Sequence, residues 1–396
     1  MDRIRTDIVI SGGGVAGLAA AVAFGAAGFD VIVVDPAPPV TDAAQDGADL
    51  RTTAFLQPAK AFLDRAGLWE ALAPYATALD VMRIVDAAKE PATTRDFVAD
   101  DISDAPFGWN LPNWLLRRVM VDRIAQMPNV TLRTGTGFAS MVARLDQALV
   151  RLSDGTQVSA KLVIGADGRN SAVRQANNID AATTRYGQKA VTFAVTHPQP
   201  HGGISTEVHR DGGPFTLVPL PDVDGQPCSS VVWMDTGPKI AALMALDDAA
   251  FTAAANTRSA GVNGPLTLVG KRSVWPIITQ IADRITAPRT ALVAEAAHVM
   301  PPIGAQGLNM SLADMASLLD LAADNRDTLG QPAMLAAYEK ARHSDMRLRV
   351  TGIDALNRTS MAASPLIHDL RAMGVKALHD AAPIRHRLMK LGLGAS

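Results

Sequence analysis

The stretch "TDIVISGGGVAGLAAAVAFGAAGFDVIVVD", Thr6 to Asp35, decides the fold. "DIVIS" is an apolar run of strand length, Gly12, Gly14 and Gly17 form G-x-G-x-x-G, Val15 to Ala27 reads as a helix, and "DVIVVD" reads as the next parallel strand. Gly12 allows the tight turn, Gly14 the close approach of a pyrophosphate, and Gly17 the close packing of helix on strand. The helix start offers free N–H groups to a phosphate. Asp35 ends the second strand, placed to accept hydrogen bonds from an adenosine ribose. Strand, glycine turn, helix, strand and terminal acid together predict a bound dinucleotide.

Two distant stretches read as parts of the same site. In "GTQVSAKLVIGADGRNSAVR", residues 161–165 form a strand and Ser171 starts a helix. "GADGRNS" between them makes a polar corner, where Asp167 accepts hydrogen bonds and Arg169 helps to hold the turn. In "AEAAHVMPPIGAQGLNMSLADM", residues 294–315, prolines and glycines deny the first half a regular element, and a helix starts near Gly307. The positive end of that helix suits the partial negative charge of a reduced flavin ring, with Asn309 offering a backbone or side-chain contact. Glu295 lies just past the end of the strand in "TALVAEAAHV". His298 is either a base beside the bend or a packed, capping histidine.

Nearer the N-terminus, "DLRTTAFLQPAKAFLDRAGLWEAL" puts Arg51 before a helix carrying Phe55, Ala59, Phe62 and Leu63. From there the arginine either reaches a flavin or its phosphates or is a solvent arginine near a helix start. "AVTFAVTH", "PFTLVPL" and "CSSVVWM" are short strands ended by turns, as in a largely antiparallel sheet. Such a sheet would roof the cofactor and shape a substrate cavity, with Trp233 and Trp275 either packed in its core, as a lone strand tryptophan more often is, or lining the cavity.

With 396 residues, 48% of them hydrophobic, the chain has enough length and apolar content for two well-cored domains. A net charge of -2 gives no sign of a nucleic-acid partner. Cys228 is the single cysteine, which excludes an intrachain disulfide and a cysteine-based metal site. No metal-ligand motif and no long apolar run stands out, and the N-terminus enters a strand without a signal-peptide layout. A cytoplasmic location is the expectation. From Gln331 to Ser396, ten Lys/Arg stand against five Asp/Glu. That excess is either a solvated helical face or a peripheral contact with the inner membrane.

Taken together, "GGGVAG", "RTTAFLQPA", "LVIGADGRNSAVR", "GPFTLVPLP", "SSVVWM", "AAHVMPPIGAQGLNMSLAD", "YEKARHSDM" and "TGIDALNRTS" resemble the flavin-dependent aromatic hydroxylases of the para-hydroxybenzoate hydroxylase fold. Within that group the chain looks most like the ubiquinone-biosynthesis hydroxylases. The resemblance implies an α/β fold: a Rossmann-like FAD-binding domain with an inserted, mostly antiparallel substrate domain and C-terminal helices. The expected ranges are 1–70, 109–180 and 281–350 for the FAD domain, 71–108 and 181–280 for the substrate domain, and 351–396 for a helical C-terminal segment.

It also implies non-covalent FAD, NADH or NADPH as a transient reductant, and molecular oxygen as co-substrate. Gly12, Gly14, Gly17 and Asp35 would hold the ADP half, Arg51 and Asp167 would contact the cofactor, and Asn113 or Arg117 would do so from the helix in "NWLLRRVM". Glu295 takes the place of the family's aspartate, Ala294 that of a glycine, and Ala305 that of the first glycine of G-Q-G. No residue is assigned as catalytic. The implied reaction is ring hydroxylation of a prenylated phenol, alongside other ubiquinone-biosynthesis proteins. A soluble aromatic substrate, or a non-catalytic FAD-binding scaffold, remains the alternative.

Overall fold

The computed structural model describes residues 4–87, 91–210, 212–361 and 382–393. Its first sheet is organised around strand Ile4–Ser11, whose Ile8, Val9 and Ile10 are fully buried. Both faces of this strand are covered, which is why its sequence is a continuous apolar run. It pairs in parallel with Val31–Asp35 on one side and with Gln157–Gly165 on the other. Beyond these lie Val130–Thr134 and Thr290–Leu292, also parallel. Antiparallel strands Phe138–Ala143 and Ala148–Leu152 extend the sheet from Gln157–Gly165.

Helix Val15–Ala26 is almost entirely buried and built of small residues, including Ala19 to Ala23. Small side chains let it approach the sheet closely: a Cβ added to Gly25 would stand 2.3 Å from Val130 Cγ2. On its other side it packs against helices Asn113–Ala125 and Gln306–Asp324. Tyr338, from the long helix Pro332–Met361, closes this core and donates its hydroxyl to Leu292 O at 3.0 Å.

The second sheet has eight strands and is antiparallel except where Ile204–Arg210 runs parallel to Val81–Asp86. Two long neighbours, Ala181–Thr196 and Thr267–Ala282, carry most of it. One face is covered by helices Gly237–Met244 and Asp248–Arg258, around Phe193, Phe215, Phe251 and Trp233. The other face carries Ala190, Met234 and Ile277, with Tyr186, Val232 and Trp275 packed against them. Strand alternation makes this split: Trp233 shares its face with Val231, whereas Val232 and Met234 point the opposite way.

One expectation needs correction. Phe55 belongs to strand Thr52–Leu56, with the helix starting only at Gln57. β-Branched Thr52 and Thr53 pair with Gly108–Pro112 in a small three-stranded sheet instead of starting the helix. Of its two readings, Trp233 takes the packed one: it is buried on the helix-covered side, 5.5 Å from Phe215. In the C-terminal segment, helix Ala382–Leu393 is described. The charges at Asp369, Arg371, Lys376 and Asp380 lie outside the described residues.

Candidate cofactor and substrate site

Parallel pairing fixes where the site falls. Ser11 is in register with Gly165, and Gly165 with Leu292, so three strands end together. The loops leaving them are joined by backbone bonds: Gly12 N–H to Val34 O at 2.8 Å, Ala166 N–H to Ser11 O at 2.8 Å, and Val293 N–H to Gly165 O at 3.0 Å. The three distant sequence blocks therefore meet at the carboxyl edge of one sheet, where open α/β sheets bind ligands.

Gly12 has φ +114°, and an added Cβ would lie 2.4 Å from Ala166 O. At Gly17 the added Cβ would lie 1.9 Å from Gly12 O, so helix and turn touch there. Gly14 is different. A Cβ there meets nothing within 4 Å, and no side chain caps the helix that it precedes. Gly168 and Gly307 face similarly open space, and helix Gln306–Asp324 also starts without a side-chain cap. Two uncapped helix starts beside open glycines fit an anionic, elongated dinucleotide.

Asp35 shapes the turn itself: Oδ2 accepts the Gly13 N–H at 2.6 Å and Oδ1 the Ala37 N–H at 2.9 Å. A carboxylate has about four acceptor sites, so capacity for a ribose hydroxyl remains. Asp167 is similarly engaged, accepting from Ser171 Oγ at 2.5 Å and Val173 N–H at 3.1 Å. It thereby braces the start of helix Ala172–Ala176. Buried Arg174 ties this corner to the next block, donating to Ala296 O and Arg169 O at 2.9 Å. Arg169 pairs with Glu295 at 3.2 Å. Sequence reasoning passed over Arg174, although it stands in the quoted "SAVR".

Asn309 uses its side chain within the protein: Oδ1 accepts from Leu56 N–H at 2.8 Å, and Nδ2 donates to Ala54 O and Ala305 O. This staples the helix start to strand Thr52–Leu56. His298 is buried, with Nε2 2.7 Å from Asp314 Oδ2. Asp314 also accepts from Arg342 Nε at 2.9 Å, and Arg342 continues to Asp345 and Arg349. Arg349 reaches Gln306 Oε1 at 3.2 Å. Both ends of the bend are thus anchored to helix Pro332–Met361, and His298 has the packed role.

Arg51 meets a partner that sequence reasoning did not single out. Asp49 Oδ1 accepts from Arg51 Nε at 2.7 Å and Oδ2 from Nη2 at 2.6 Å. Asn113 Nδ2 donates to the same Oδ2 at 3.0 Å, and Arg117 Nη2 lies 3.7 Å away. Asn113 and Arg117, four apart in the first turns of helix Asn113–Ala125, converge on this carboxylate. Burial pushes the Asp49 carboxyl up, but Arg51, then Asn113 and Arg117, outweigh it and hold its pKa below the usual value. On the far side, the Arg51 guanidinium lies 5.5 Å over the ring of Trp275, from the second sheet. Glu295 adds a favourable field at Arg51.

This arrangement defines a dinucleotide-binding flavoprotein with a second sheet facing the cofactor edge. A model described as an FAD binding domain matches residues 5–351. The chain is 33% identical to "Ubiquinone hydroxylase UbiL" of Rhodospirillum rubrum, over 98% of this chain and 89% of that protein. It is 26% identical to "3-demethoxyubiquinol 3-hydroxylase" of Escherichia coli K12, over the full length of both. Among solved structures, p-nitrophenol 4-monooxygenase PnpA of Pseudomonas putida superposes with a TM-score of 0.80 at 18% identity, covering 99% of each chain. That likeness concerns the fold. The chain belongs to the FAD-binding family of flavin-dependent aromatic hydroxylases, in its ubiquinone-hydroxylase branch. Its cofactor is FAD.

Proposed function

We propose that this protein is an FAD-dependent monooxygenase that hydroxylates the aromatic ring of a prenylated phenol in ubiquinone biosynthesis, using NADH or NADPH and molecular oxygen. The observation that carries this reading is the facing of Arg51 by Trp275, which sets an aromatic-bearing sheet face against the cofactor edge. The named activities of the two relatives agree with it.

Gly12, Gly14, Gly17 and Asp35 would hold the ADP half, with Arg51, Arg117, Asp167, Glu295, Gly307 and Asn309 around the remainder. Bound FAD would supply the redox chemistry, coupling NAD(P)H oxidation to the splitting of O2, one oxygen atom to the ring and the other to water. The chain's own work is placement and exclusion of water. The uncapped helix starts at Gly14 and Gln306 would favour negative charge, on the pyrophosphate and on the flavin ring respectively. The Asn309 staple keeps the second of these in place. Val232 and Trp275, partly buried over Ala190, Met234 and Ile277, offer an apolar wall for an aromatic ring.

The first sheet forms the proposed cofactor domain, and the second, with residues 71–108 and 181–280, the substrate domain. A peripheral membrane contact and association with other ubiquinone-biosynthesis proteins belong to the same proposal. Exposed Leu348 and Leu356 on helix Pro332–Met361 support that contact, with Arg347 exposed beside them. Among the described residues, no helix is long and apolar enough to cross a membrane.

The test is NAD(P)H oxidation by the FAD-loaded protein with and without a prenylated phenol, with product mass measured. Stimulation with a mass gain of one oxygen supports the proposal. Stimulation only by water-soluble phenols points to a soluble aromatic substrate, and no flavin reduction under any condition points to a scaffold.

A further inference from the structure

We propose that Asp49 is a positioning residue whose carboxylate locks the Arg51 guanidinium against Trp275 and so presets Arg51 for the cofactor. The inference deepens the proposed cofactor role of Arg51 and rests on it. Three features carry it: the two-pronged contact, the burial of the Asp49 carboxylate, and the number of groups that converge on it.

The Nε and Nη2 edge of Arg51 is consumed by Asp49, and the Arg51 N–H also reaches Asp49 Oδ1 at 3.2 Å. The paired geometry fixes the plane of the guanidinium as well as its position. Asp49 is 9% exposed at its side chain, whereas Arg51 is 41% exposed. An exposed arginine left to itself samples many rotamers, and a buried carboxylate gripping one edge removes most of that freedom. The carboxylate is itself fixed: Asn113 donates to it, Asn113 Oδ1 accepts from Thr53 Oγ1 at 2.8 Å, and the Asn113 N–H donates to Arg51 O at 2.9 Å. Among the described residues, no hydrogen bond from Nη1 is made, which leaves that amino group for a ligand.

Simple charge counting predicts the opposite outcome on mutation. Asp49 lies beside two guanidiniums, Arg51 and Arg117. Removing its negative charge makes the neighbourhood more positive, which by electrostatics alone would tighten binding of anionic FAD. If orientation dominates, the same change loosens binding. The sign of the effect therefore separates the two accounts.

The experiment is a set of FAD titrations of apoprotein for wild type, Asp49→Asn, Asp49→Glu, Arg51→Lys and the double variant Asp49→Asn/Arg51→Lys. Tryptophan emission of the apoproteins is recorded beside a Trp275→Phe control. Asp49→Asn is expected to weaken FAD about tenfold and to change the Trp275-dependent emission, and Asp49→Glu to recover part of the affinity. In the Arg51→Lys background, Asp49→Asn is expected to add less than about a twofold loss, because the group that it positions is already gone. Tighter or unchanged FAD binding by Asp49→Asn, or full additivity in the double variant, overturns the proposal while leaving the Arg51 reading intact. An unchanged dissociation constant for Arg51→Lys instead removes Arg51 from the cofactor site. If Asp49→Asn fails to fold, Asn113→Ala asks the same question by deleting one bond to the carboxylate. About a threefold loss is then expected, and no loss overturns the proposal.

Discussion

Ala294 and Ala305 share the left-handed backbone conformation, with φ of +54° and +56°, and they bracket the bend that carries Glu295 and Gly304. Both stand where the sequence resemblance sets glycine. Both alanines hold a backbone conformation that favours glycine, so each carries about 1–2 kcal/mol of local strain. Ala294→Gly and Ala305→Gly are each expected to stabilise the protein by about 0.5–1 kcal/mol, after the greater freedom of glycine in the unfolded chain is subtracted. Urea midpoints read this directly. Ala20→Gly, in the buried helix Val15–Ala26, is the opposing control and should lower the midpoint.

Gly14 and Gly17 should separate binding from folding. Gly14 has open space at its Cβ position and a negative φ of -73°, so Gly14→Val should leave the apoprotein's melting temperature within about 2 °C while cutting FAD affinity at least tenfold. Gly17→Val has no room against Gly12 O and should destabilise the apoprotein itself by about 2–4 kcal/mol. Calorimetry of the two apoproteins checks both. Equal losses of stability would show that Gly14 is not on an open face.

Glu295 is 43% exposed at its side chain and reaches Arg169 at 3.2 Å, so the pair should add little to stability. Glu295→Asp shortens the reach by a methylene and should break the Arg169 contact, with melting temperature nearly unchanged. If Glu295 presents its carboxylate to the cofactor, Glu295→Asp and Glu295→Gln should each weaken FAD about tenfold. Three matching dissociation constants would remove Glu295 from the site.

Asp314 is fully buried between His298 and Arg342. Asp314→Asn leaves the Arg342 guanidinium with Asp345 as its remaining counter-charge and should cost about 3 kcal/mol. Because the His298 link holds one end of the bend, FAD should also dissociate faster. A stopped-flow release rate equal to wild type would mean that the bend keeps its shape without this anchor.

Asp49 also predicts a pH dependence. Its folded pKa lies below the unfolded value near 3.8, so its stabilising contribution is complete above that value and is lost as pH falls through the folded pKa. Asp49→Asn should therefore flatten the acid limb of the stability curve below about pH 4. At the alkaline end, burial pushes the Cys228 thiol up to about 11, so native protein at pH 8 should react with a disulfide reagent only as fast as it unfolds.

The nucleotide turn was legible because its features are local: strand, glycines, helix and Asp35 lie within one stretch. The meeting of Gly12, Asp167 and Glu295 was legible because parallel strands must end at the same edge. Side-chain economy was not. Asn309 and Asp167 are residue types suited to a ligand, yet their partners within the fold are Ala54, Leu56, Ser171 and Val173, and no spacing rule exposes those pairings. Asp49 sat two residues before Arg51 as an unremarked acid. Only the return of helix Asn113–Ala125 shows what the carboxylate holds. A strand's parity, with no anchor residue of known orientation, leaves open which side Trp233 and Trp275 take.

The order of the first sheet sets when the chain can finish folding. Strand Gln157–Gly165 receives its outer parallel neighbour only from Thr290–Leu292, and the helix that braces the site follows at Gln306. During synthesis, five strands of the second sheet, from Ala181–Thr196 to Thr267–Ala282, emerge while the Val163–Gly165 part of that strand's edge stands open. A nascent chain stalled near residue 280 therefore exposes unpaired backbone beside the apolar run "LVIG", the arrangement that recruits a neighbouring chain. Shielding that edge until Thr290–Leu292 arrives is expected to favour productive folding over association.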